Sequence, residues 1–388
     1  MRLKDVCTVF TDGDWIESKD QSEEGIRLVQ TGNIGEGIYL EKEERAKYIS
    51  EDTFERLKCT EIFPGDILVS RLPEPVGRAC IVPDKSERMI TAVDCTICRP
   101  DETIISKEYL CYFMRSNAYY TRLLGNVTGT TRKRISRKNL GNIELNIPTK
   151  DVQRAVVEQL DRLIKIIDSR IKEISLLDDL IKARFVEMFG TLDSPTQEFR
   201  KATLKELCNK ITDGKHGGCK SEAGTERYFV GAREIYDDEV HYDTAAEINT
   251  EEFEKDYKRC NLEIGDFLIV NTGATIGKSA IASDERTEHT LLQKSVALLK
   301  VKQEVLNPIF LKWCYRVNKQ MYMVESASAQ PNLLLSKINA TVIYVPNIEL
   351  QNQFADFVKQ VDKSRVAVQK ALDETQLLFD SLMQKYFG

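Results

Sequence analysis

The stretch Pro148-Thr-Lys-Asp-Val-Gln153, which continues to Met188-Phe189-Gly190, decides the fold because the chain contains it twice. The second copy begins Pro346-Asn-Ile-Glu-Leu-Gln351 and ends Tyr386-Phe387-Gly388. Both the first prolines and the last glycines of the copies are 198 residues apart (346−148 and 388−190), so the copies align without a gap. The chain therefore carries an internal repeat that covers both of these segments.

Apolar residues recur in each copy in steps of four and three for about five heptads, with no glycine or proline inside. This spacing predicts two long helices, each a rod of roughly 50 Å at about 1.5 Å per residue. Since one apolar stripe is unstable in water, the two rods are expected to pack on each other. Both directions are conceivable, and we favour antiparallel packing because the chain returns most easily from Gly190 to Pro346 if the second rod begins near the end of the first.

The globular segments repeat as well. Leu3-Lys-Asp-Val-Cys7 with Thr11-Asp-Gly13 matches Leu204-Lys-Glu-Leu-Cys208 with Thr212-Asp-Gly214, and Gly65-Asp-Ile-Leu-Val69 matches Gly265-Asp-Phe-Leu-Ile269. Turn residues followed by short β-branched and aliphatic runs are typical of strands. We therefore predict an α+β fold, in which two similar mixed α/β domains are separated by two long helices packed as an antiparallel coiled coil. The predicted boundaries are 1–147 (first domain), 148–190 (first helix), 191–201 (linker), 202–345 (second domain) and 346–388 (second helix).

The composition favours a cytoplasmic globular protein. The chain has 388 residues, 42% of them hydrophobic and 30% charged, and its apolar runs are shorter than the ~20 residues of a membrane span. The first residues lack the apolar core of a signal peptide. The ten cysteines are scattered, which is typical of reduced core thiols, and the single CxxC of Cys95 and Cys98 lacks the second ligand pair of a zinc site. The net charge of −6 means that basic character has to be sought locally.

Catalytic motifs are mostly missing. The three histidines have no metal-ligand spacing, and neither phosphate-cradling glycine motif occurs. Asn307-Pro-Ile-Phe310 is similar to a signature of adenine methyltransferases, but Pro308 suits the first turn of a helix. Asp66 and Asp266 each follow a glycine before a strand and are interpreted as turn residues rather than general acids.

Loops that align between the two halves differ in their polar chemistry. Thr128 to Lys138 contains five cations within seven residues, whereas the aligned segment Ser326 to Asn332 offers amides, which can read adenine in the major groove. We interpret the basic segment as a flexible, hydroxyl-rich loop that contacts DNA phosphates and base edges. A solvated helix start is the alternative interpretation. The loops after Val69 and Ile269, and those after Gly13 and Gly214, also diverge, as expected if loops carry recognition. The candidate DNA contacts are Trp15, Arg71, Arg78, Thr130, Arg132, Lys133, Arg134, Lys215, His216, Asn271, Lys278, Gln330 and Asn332.

Taken in order, and occurring twice, these motifs resemble the specificity subunit of a type I restriction-modification enzyme over essentially the whole chain. The carriers are the Leu-Lys-x-x-Cys…Thr-Asp-Gly openings, the Gly-Asp-Ile/Phe-Leu strands, the Val/Ile-Gly-Arg/Lys strands, the Ser-Ala-Gln-Pro-Asn loop and the Pro-x4-Gln helix starts that lead to Phe-Gly. The resemblance implies two target-recognition domains, each reading one half of a split sequence in double-stranded DNA. It also implies two methyltransferase subunits docked on the helices, and it allows motor-nuclease subunits. No catalytic residue, metal or cofactor is expected on this chain, because S-adenosylmethionine would be bound by the methyltransferase subunits.

The first rod has an additional apolar column, formed by Ile164, Ile171 and Phe185. This column predicts burial beyond the partner helix, either under a globular domain or against a docked methyltransferase subunit. A wider contact within the helix pair is the alternative. For the whole chain, two functions compete with DNA reading, namely a coiled-coil scaffold that binds only proteins and a DNA-modifying enzyme in its own right.

Overall fold

The computed structural model describes residues 1–129, 133–322 and 332–388. The chain divides into two compact units. Unit 1 consists of Met1–Ile171 and Lys370–Gly388, and unit 2 of Lys172–Gln369. Each unit therefore holds one globular domain and a half of each long helix.

Unit 1 is built on two four-stranded sheets. One has the order β1-β8-β5-β6 and is antiparallel, and the other has the order β3-β2-β7-β4, in which β2 and β7 run parallel. The strands are β1 (Cys7–Asp12), β2 (Ile26–Val29), β3 (Tyr48–Ile49), β4 (Glu61–Ile62), β5 (Ile67–Ser70), β6 (Ala79–Ile81), β7 (Met89–Thr91) and β8 (Cys95–Pro100). The helices are α1 (Glu51–Leu57), α2 (Lys107–Phe113), α3 (Asn117–Leu124), α4 (Arg137–Gly141) and the long α5 (Lys150–Phe189).

Unit 2 repeats this plan. Its main sheet has the order β10-β18-β15-β16, and in a second sheet, β14-β11-β17, the strands β11 and β17 run parallel. The strands are β9 (Arg200–Thr203), β10 (Cys208–Asp213), β11 (Tyr228–Val230), β12 (Ile235–Tyr236), β13 (Glu239–Val240), β14 (Ala246–Glu247), β15 (Phe267–Val270), β16 (Ser279–Ile281), β17 (Thr290–Leu292), β18 (Val296–Val301) and β19 (Val342–Val345). The helices are α6 (Leu204–Leu207), α7 (Thr250–Tyr257), α8 (Pro308–Val317), α9 (Leu335–Ala340) and the long α10 (Ile348–Phe387).

The two main sheets share even their irregularities. The pairing of β1 with β8 shifts register between Cys7 and Val9, and the pairing of β10 with β18 shifts between the equivalent Cys208 and Lys210. Such bulges bend and twist a strand locally. The predicted internal repeat is thus confirmed at the level of strand register. Strand β9 begins at Arg200, inside the polar segment 191–201, and pairs with β19.

The long helices α5 and α10 are each 40 residues long, as the heptads predict. Within unit 2 they run antiparallel. Asp178 of α5 pairs with Arg365 of α10, whereas the later Phe189 contacts the earlier Phe354, with ring centroids 5.6 Å apart. In unit 1 the equivalent end of α10 packs on the domain, where the ring of Phe387 lies 5.0 Å from that of Tyr109. Each half-helix is therefore held by the core of its own unit.

The motif glycines Gly13 and Gly214 explain the repeated Thr-Asp-Gly. A Cβ atom at Gly13 would lie 2.3 Å from the carbonyl oxygen of Thr91, and one at Gly214 would lie 2.1 Å from that of Leu292. Only glycine permits this approach of the loop to the neighbouring strand.

Among the helices that the structure describes, none is long and apolar enough to cross a membrane.

Candidate nucleic-acid interface

Four segments of unit 1 meet at one edge of its sheets. The loop after β1 joins the turn after β7, because the backbone N–H of Asp14 donates to the carbonyl of Thr91 (2.8 Å). The loop after β5 joins that turn through the N–H of Arg71 and the carbonyl of Asp94 (2.9 Å). The segment before α4 completes the edge, since the N–H of Ile135 donates to the carbonyl of Arg71 (3.3 Å). We call these four segments the first edge.

Arginine–carboxylate pairs organise the first edge. Nη2 of Arg134 lies 2.7 Å from Oδ1 of Asp94, and the Arg134 side chain is 45% exposed. Asp12 is approached by Nη2 of Arg71 (3.3 Å) and by Nη1 of Arg137 (4.0 Å). The carboxylates hold the guanidinium groups of Arg134 and Arg137 in place while leaving them open to solvent.

The basic segment is closed at its base by Thr128 and Arg134, whose backbones exchange two hydrogen bonds of 2.9 Å each. Lys133 and Lys138 are exposed. The predicted contacts Thr130 and Arg132 lie outside the described residues. Because Lys133 and Lys138 are cationic and project into solvent, this part of the first edge suits phosphate contacts.

Trp15 lies in the loop after β1 and is 70% exposed, with its Nε1 donating to Oε1 of Glu17 (3.4 Å). An aromatic ring left in water at the rim of a basic surface offers a stacking face to an unpaired base or a sugar. Trp15 thus lies on the first edge, and its contact with DNA stays a prediction.

Unit 2 builds an equivalent second edge with the same backbone bonds. The N–H of Lys215 donates to the carbonyl of Leu292 (2.7 Å), and the N–H of Asn271 to that of Ser295 (3.0 Å). The N–H of Leu333 donates to the carbonyl of Asn271 (2.7 Å), as Ile135 does to Arg71 in unit 1. The frame is therefore shared by both edges, and the side chains that it presents are different.

Lys215 and His216 of the second edge lie beside carboxylates. Nζ of Lys215 lies 2.7 Å from Oδ2 of Asp256 and 3.4 Å from Oε2 of Glu252. The hydrogen bond to Asp256 is the main cause that raises the pKa of Lys215. His216 is exposed and lies 3.2 Å from Oδ2 of Asp213.

An amide stands where the first edge has Arg134. Asn332 is exposed, and its Oδ1 accepts a hydrogen bond from Oγ1 of Thr272 (3.3 Å). The predicted contact Gln330 lies outside the described residues. The described part of the second edge is thus polar and amide-bearing, whereas the first is arginine-rich.

Comparison with known proteins identifies this arrangement. The family described as type I restriction modification DNA specificity domain matches residues 1–176 and again residues 196–375. The chain belongs to the type I restriction-modification DNA specificity family. It carries the family's domain twice, which agrees with the two edges described above.

Two curated relatives are specificity subunits from Escherichia coli. The chain is 23% identical over 304 residues to the type I restriction enzyme EcoBI specificity subunit, a match that covers 69% of this chain and 63% of the relative. It is 19% identical over 315 residues to the EcoKI specificity subunit of strain K12, covering 76% of this chain and 67% of the relative. The match therefore spans less than two thirds of the EcoBI subunit's length.

Solved structures show the same fold at low identity. A chain from a study of complex assembly and conformational transition of the type I R-M system matches with a TM-score of 0.62 and 16% identity, covering 100% of this chain and 96% of that one. The S subunit of a type I restriction-modification system from M. genitalium matches with a TM-score of 0.53 and 15% identity, covering 100% and 95%. The α+β fold with two long helices is thereby confirmed.

Three of the predicted DNA contacts are buried in the two units. Arg78 is only 8% exposed and donates to the carbonyls of Ile34 (2.6 Å) and Thr31 (2.8 Å), so its guanidinium group ties loops together rather than facing solvent. The side chain of Arg71 is 5% exposed, and burial lowers its pKa. Asn271 is 3% exposed, and its Oδ1 has no hydrogen-bond partner in the described part of the chain.

Lys278 is exposed but does not share in the backbone bonds of the second edge. It lines a cavity of 630 Å³ in unit 2 together with Asp178 of α5, Arg365 of α10 and Arg316. Lys278 therefore lies beside the long helices and not among the loops that present Asn332. Its prediction as a DNA contact gains no support from its surroundings.

The additional apolar column of α5 does not form one surface. Phe185 is fully buried in unit 2, where its ring lies 5.5 Å from that of Phe310 and 5.3 Å from that of Phe354. Phe185 is therefore covered by its own globular domain, which is the first of the two predicted alternatives, and not by a docked subunit. Ile164 packs against the core of unit 1, and Ile171 is 54% exposed. Only Ile171 remains available as predicted.

Sequence reasoning missed Asp12 and Asp94, which hold the arginines, and Arg137 was not among the candidate contacts. Asp94 occupies the place of Ser295 in the second half, so this turn also diverges between aligned segments. Comparing it in the same way as the other loops would have found it. Asn307, by contrast, behaves as predicted, since its side chain accepts from the N–H of Ile309 (2.9 Å) and Pro308 is the first residue of α8.

Asp66 and Asp266 are likewise turn residues. Oδ2 of Asp66 accepts from the N–H of Phe63 (2.9 Å), and Oδ2 of Asp266 accepts from the N–H of Glu263 (2.8 Å). Each carboxylate also pairs with a cation, Arg99 or Lys300, at 2.7 Å. Both aspartates are therefore engaged in equivalent turns of the two units.

Proposed function

We propose that the chain is the non-catalytic subunit that recognises the DNA sequence in a type I restriction-modification complex. Each domain reads one half of a bipartite target in double-stranded DNA. The long helices set the unread spacer between the halves and dock two methyltransferase subunits, which bind S-adenosylmethionine. Motor-nuclease subunits join the same complex when DNA is cut.

One observation carries this proposal. The two edges have the same backbone frame but present different side chains, such as Arg134 against Asn332 and Asp94 against Ser295. A protein that holds two divergent polar surfaces on one repeated frame is suited to read two different sequences. A scaffold for proteins alone would not need this divergence.

The proposal assigns catalysis to other subunits. The methyltransferase-like tetrapeptide forms the start of α8, with Asn307 as its cap. What this chain contributes is the choice of sequence and the distance between the half-sites.

The test is a selection from random duplex DNA with the full-length chain, alone and with the methyltransferase subunits of its own system. We expect enriched duplexes to share two short blocks separated by a fixed number of unread base pairs. Enrichment of a single block, or of none in either preparation, would contradict the proposal. Transfer of a labelled methyl group from S-adenosylmethionine by this chain alone would instead favour an enzyme.

A further inference from the structure

We propose that Arg134 reads a guanine in the half-site of the first domain and that Asp94 positions it for this contact. The inference rests on the proposed function and deepens it, since it names one base and the side chain that selects it. Neither the family match nor the relatives assign a base to any residue of this chain.

The backbone at Arg134 is fixed on both sides. Its own N–H and carbonyl bond to Thr128, and the following Ile135 is fully buried and bonds to the carbonyl of Arg71. The side chain thus starts from a rigid position and still reaches solvent, with 45% of it exposed. A reading side chain needs this combination, because a loosely held one loses discrimination through disorder.

Asp94 leaves Arg134 able to make further bonds. Nη2 of Arg134 lies 2.7 Å from Oδ1 of Asp94, and the carboxylate can accept from at most two of the guanidinium nitrogens. A guanidinium group has five N–H donors, so donors remain after this contact. Guanine presents two acceptors, O6 and N7, in the major groove, and a bidentate arginine is their commonest partner. Adenine places a donor where guanine has O6, so it would oppose the same arginine.

A base contact fits Arg134 better than a phosphate contact does. Asp94 is itself 31% exposed, and its negative charge beside the guanidinium repels a phosphate. Lys133 and Lys138 are exposed nearby, and within residues 1–129, 133–322 and 332–388 no carboxylate forms an ion pair with either of them. We assign phosphate contact to these lysines and base contact to Arg134.

The second domain supports the assignment independently. Asn332 occupies the matching place, because the residue after it, Leu333, bonds to Asn271 as Ile135 bonds to Arg71. The carboxylate is absent there as well, since Ser295 stands for Asp94. At this position of the frame, an arginine with a carboxylate beside it suits guanine. An asparagine, which is uncharged and has no carboxylate beside it, suits adenine.

The test compares Arg134→Gln and Asp94→Asn with the wild-type chain in duplex selection and in titrations of the selected duplex with each base at every position. For Arg134→Gln we expect the preference for guanine at one position of the first block to fall by roughly 5- to 150-fold, the equivalent of one bidentate contact. The second block should be unchanged, which also shows that the variant is folded.

Asp94→Asn separates positioning from mere structural support. Loss of its negative charge should strengthen binding to unrelated duplexes and steepen the salt dependence, while the preference for guanine at the same position falls. If Asp94 had a purely structural role, Asp94→Asn would weaken binding to all duplexes equally. Arg88→Gln is the matched control, because Arg88 is also paired with a carboxylate (Glu61, 2.9 Å) and 43% exposed, but lies at the other end of β7.

The outcomes distinguish this inference from the proposed function. A wild-type chain that selects no bipartite sequence would overturn the proposed function. A wild-type chain that does so, with an Arg134→Gln variant that keeps the guanine preference or loses affinity for every duplex by one common factor, would overturn the inference alone. If the Arg134→Gln chain binds no DNA at all, Asp94→Asn decides the inference. Stronger binding to unrelated duplexes together with a weaker preference for guanine supports it, and an equal loss of binding to all duplexes overturns it.

Discussion

Gln153 and Gln351 make the same three hydrogen bonds at the starts of the two long helices. Oε1 of Gln153 accepts from the N–H of Ser106 (2.8 Å), and its Nε2 donates to the carbonyls of Ile104 and Pro148 (both 3.0 Å). Gln351 repeats this with Asn307 (2.9 Å), Val305 (3.0 Å) and Pro346 (2.8 Å). One buried amide thus locks each long helix to the helix that begins at Lys107 or Pro308.

Replacing Gln153 by Leu should destabilise the first unit by about 1–3 kcal/mol, because it leaves buried backbone groups without partners. Urea denaturation measures the loss, and hydrogen exchange at the Ser106 amide localises it. Gln376→Leu is the control, since Gln376 is exposed on α10, and it should change the free energy of unfolding by no more than ~0.5 kcal/mol. Equal effects of both changes would show that the Gln153 bonds do not stabilise the unit.

Ile171→Glu should leave the fold intact and weaken capture of the methyltransferase subunits. Ile171 is 54% exposed, so a charge there costs the isolated chain little, but it would be costly in an apolar interface. Co-purification of the tagged chain with those subunits measures the effect. Lys172→Glu is the control for added negative charge at a neighbouring exposed position. Undiminished capture by a folded Ile171→Glu chain would remove Ile171 from the interface.

Asn332→Ala should relax the base preference of the second half-site by about 1–3 kcal/mol at one position, with adenine as the base that loses its advantage. Titrations with single-base variants of the selected duplex measure this change. Asn209→Ala, at an exposed position near the start of β10, should leave the preference unchanged. A uniform loss across all variants would identify Asn332 as a contact to the DNA backbone.

Lys133→Ala and Lys138→Ala should weaken binding to all duplexes alike and reduce the slope of log affinity against log salt by about one unit each. The physical reason is that each lost phosphate contact releases about one counterion fewer. Affinity measured over a series of salt concentrations gives the slope. Lys363→Ala, exposed on α10, serves as the control. A change in base preference with an unchanged slope would contradict the assignment of these lysines to phosphates.

Lengthening both long helices should lengthen the unread spacer. Four residues inserted near Ile174, matched by four in α10, add about 6 Å of helix, which corresponds to one or two base pairs at roughly 3.4 Å each. Duplex selection with the double insertion measures the spacer, and the half-site blocks should stay as they were. A folded double insertion that retains the original spacer would contradict the helices as its determinant.

Local pattern was sufficient to predict the helices and the repeated frame. Heptad spacing and the absence of internal glycine and proline determine α5 and α10, and the strands between Gly65 and Arg78 recur at an almost constant offset. These features depend on neighbours in sequence, which a single chain displays. The repeat then doubled the information, because an element seen twice is less ambiguous than one seen once.

Burial of polar side chains could not be predicted in this way. Arg78 donates to carbonyls 44 and 47 residues away, and nothing in its local sequence distinguishes it from an exposed arginine. The cover over Phe185 could not be predicted either. Its apolar column predicts that a second face of α5 is covered, but the sequence does not reveal that Phe310 covers it. Asp94 shows the converse, since it matters only through a contact with Arg134 across 40 positions (134−94).

The division of α10 between the units has a consequence for synthesis of the chain on the ribosome. Phe379, Met383 and Phe387 complete the core of unit 1, whose other part ends at Ile171. Lys370 follows Ile171 by 199 residues (370−171), so at about 5–20 residues per second the first domain would wait roughly 10–40 s for its last helix. During that interval the apolar face around Tyr109 and Phe113 is uncovered. The nascent first domain is then a natural client for chaperones that bind exposed apolar surface.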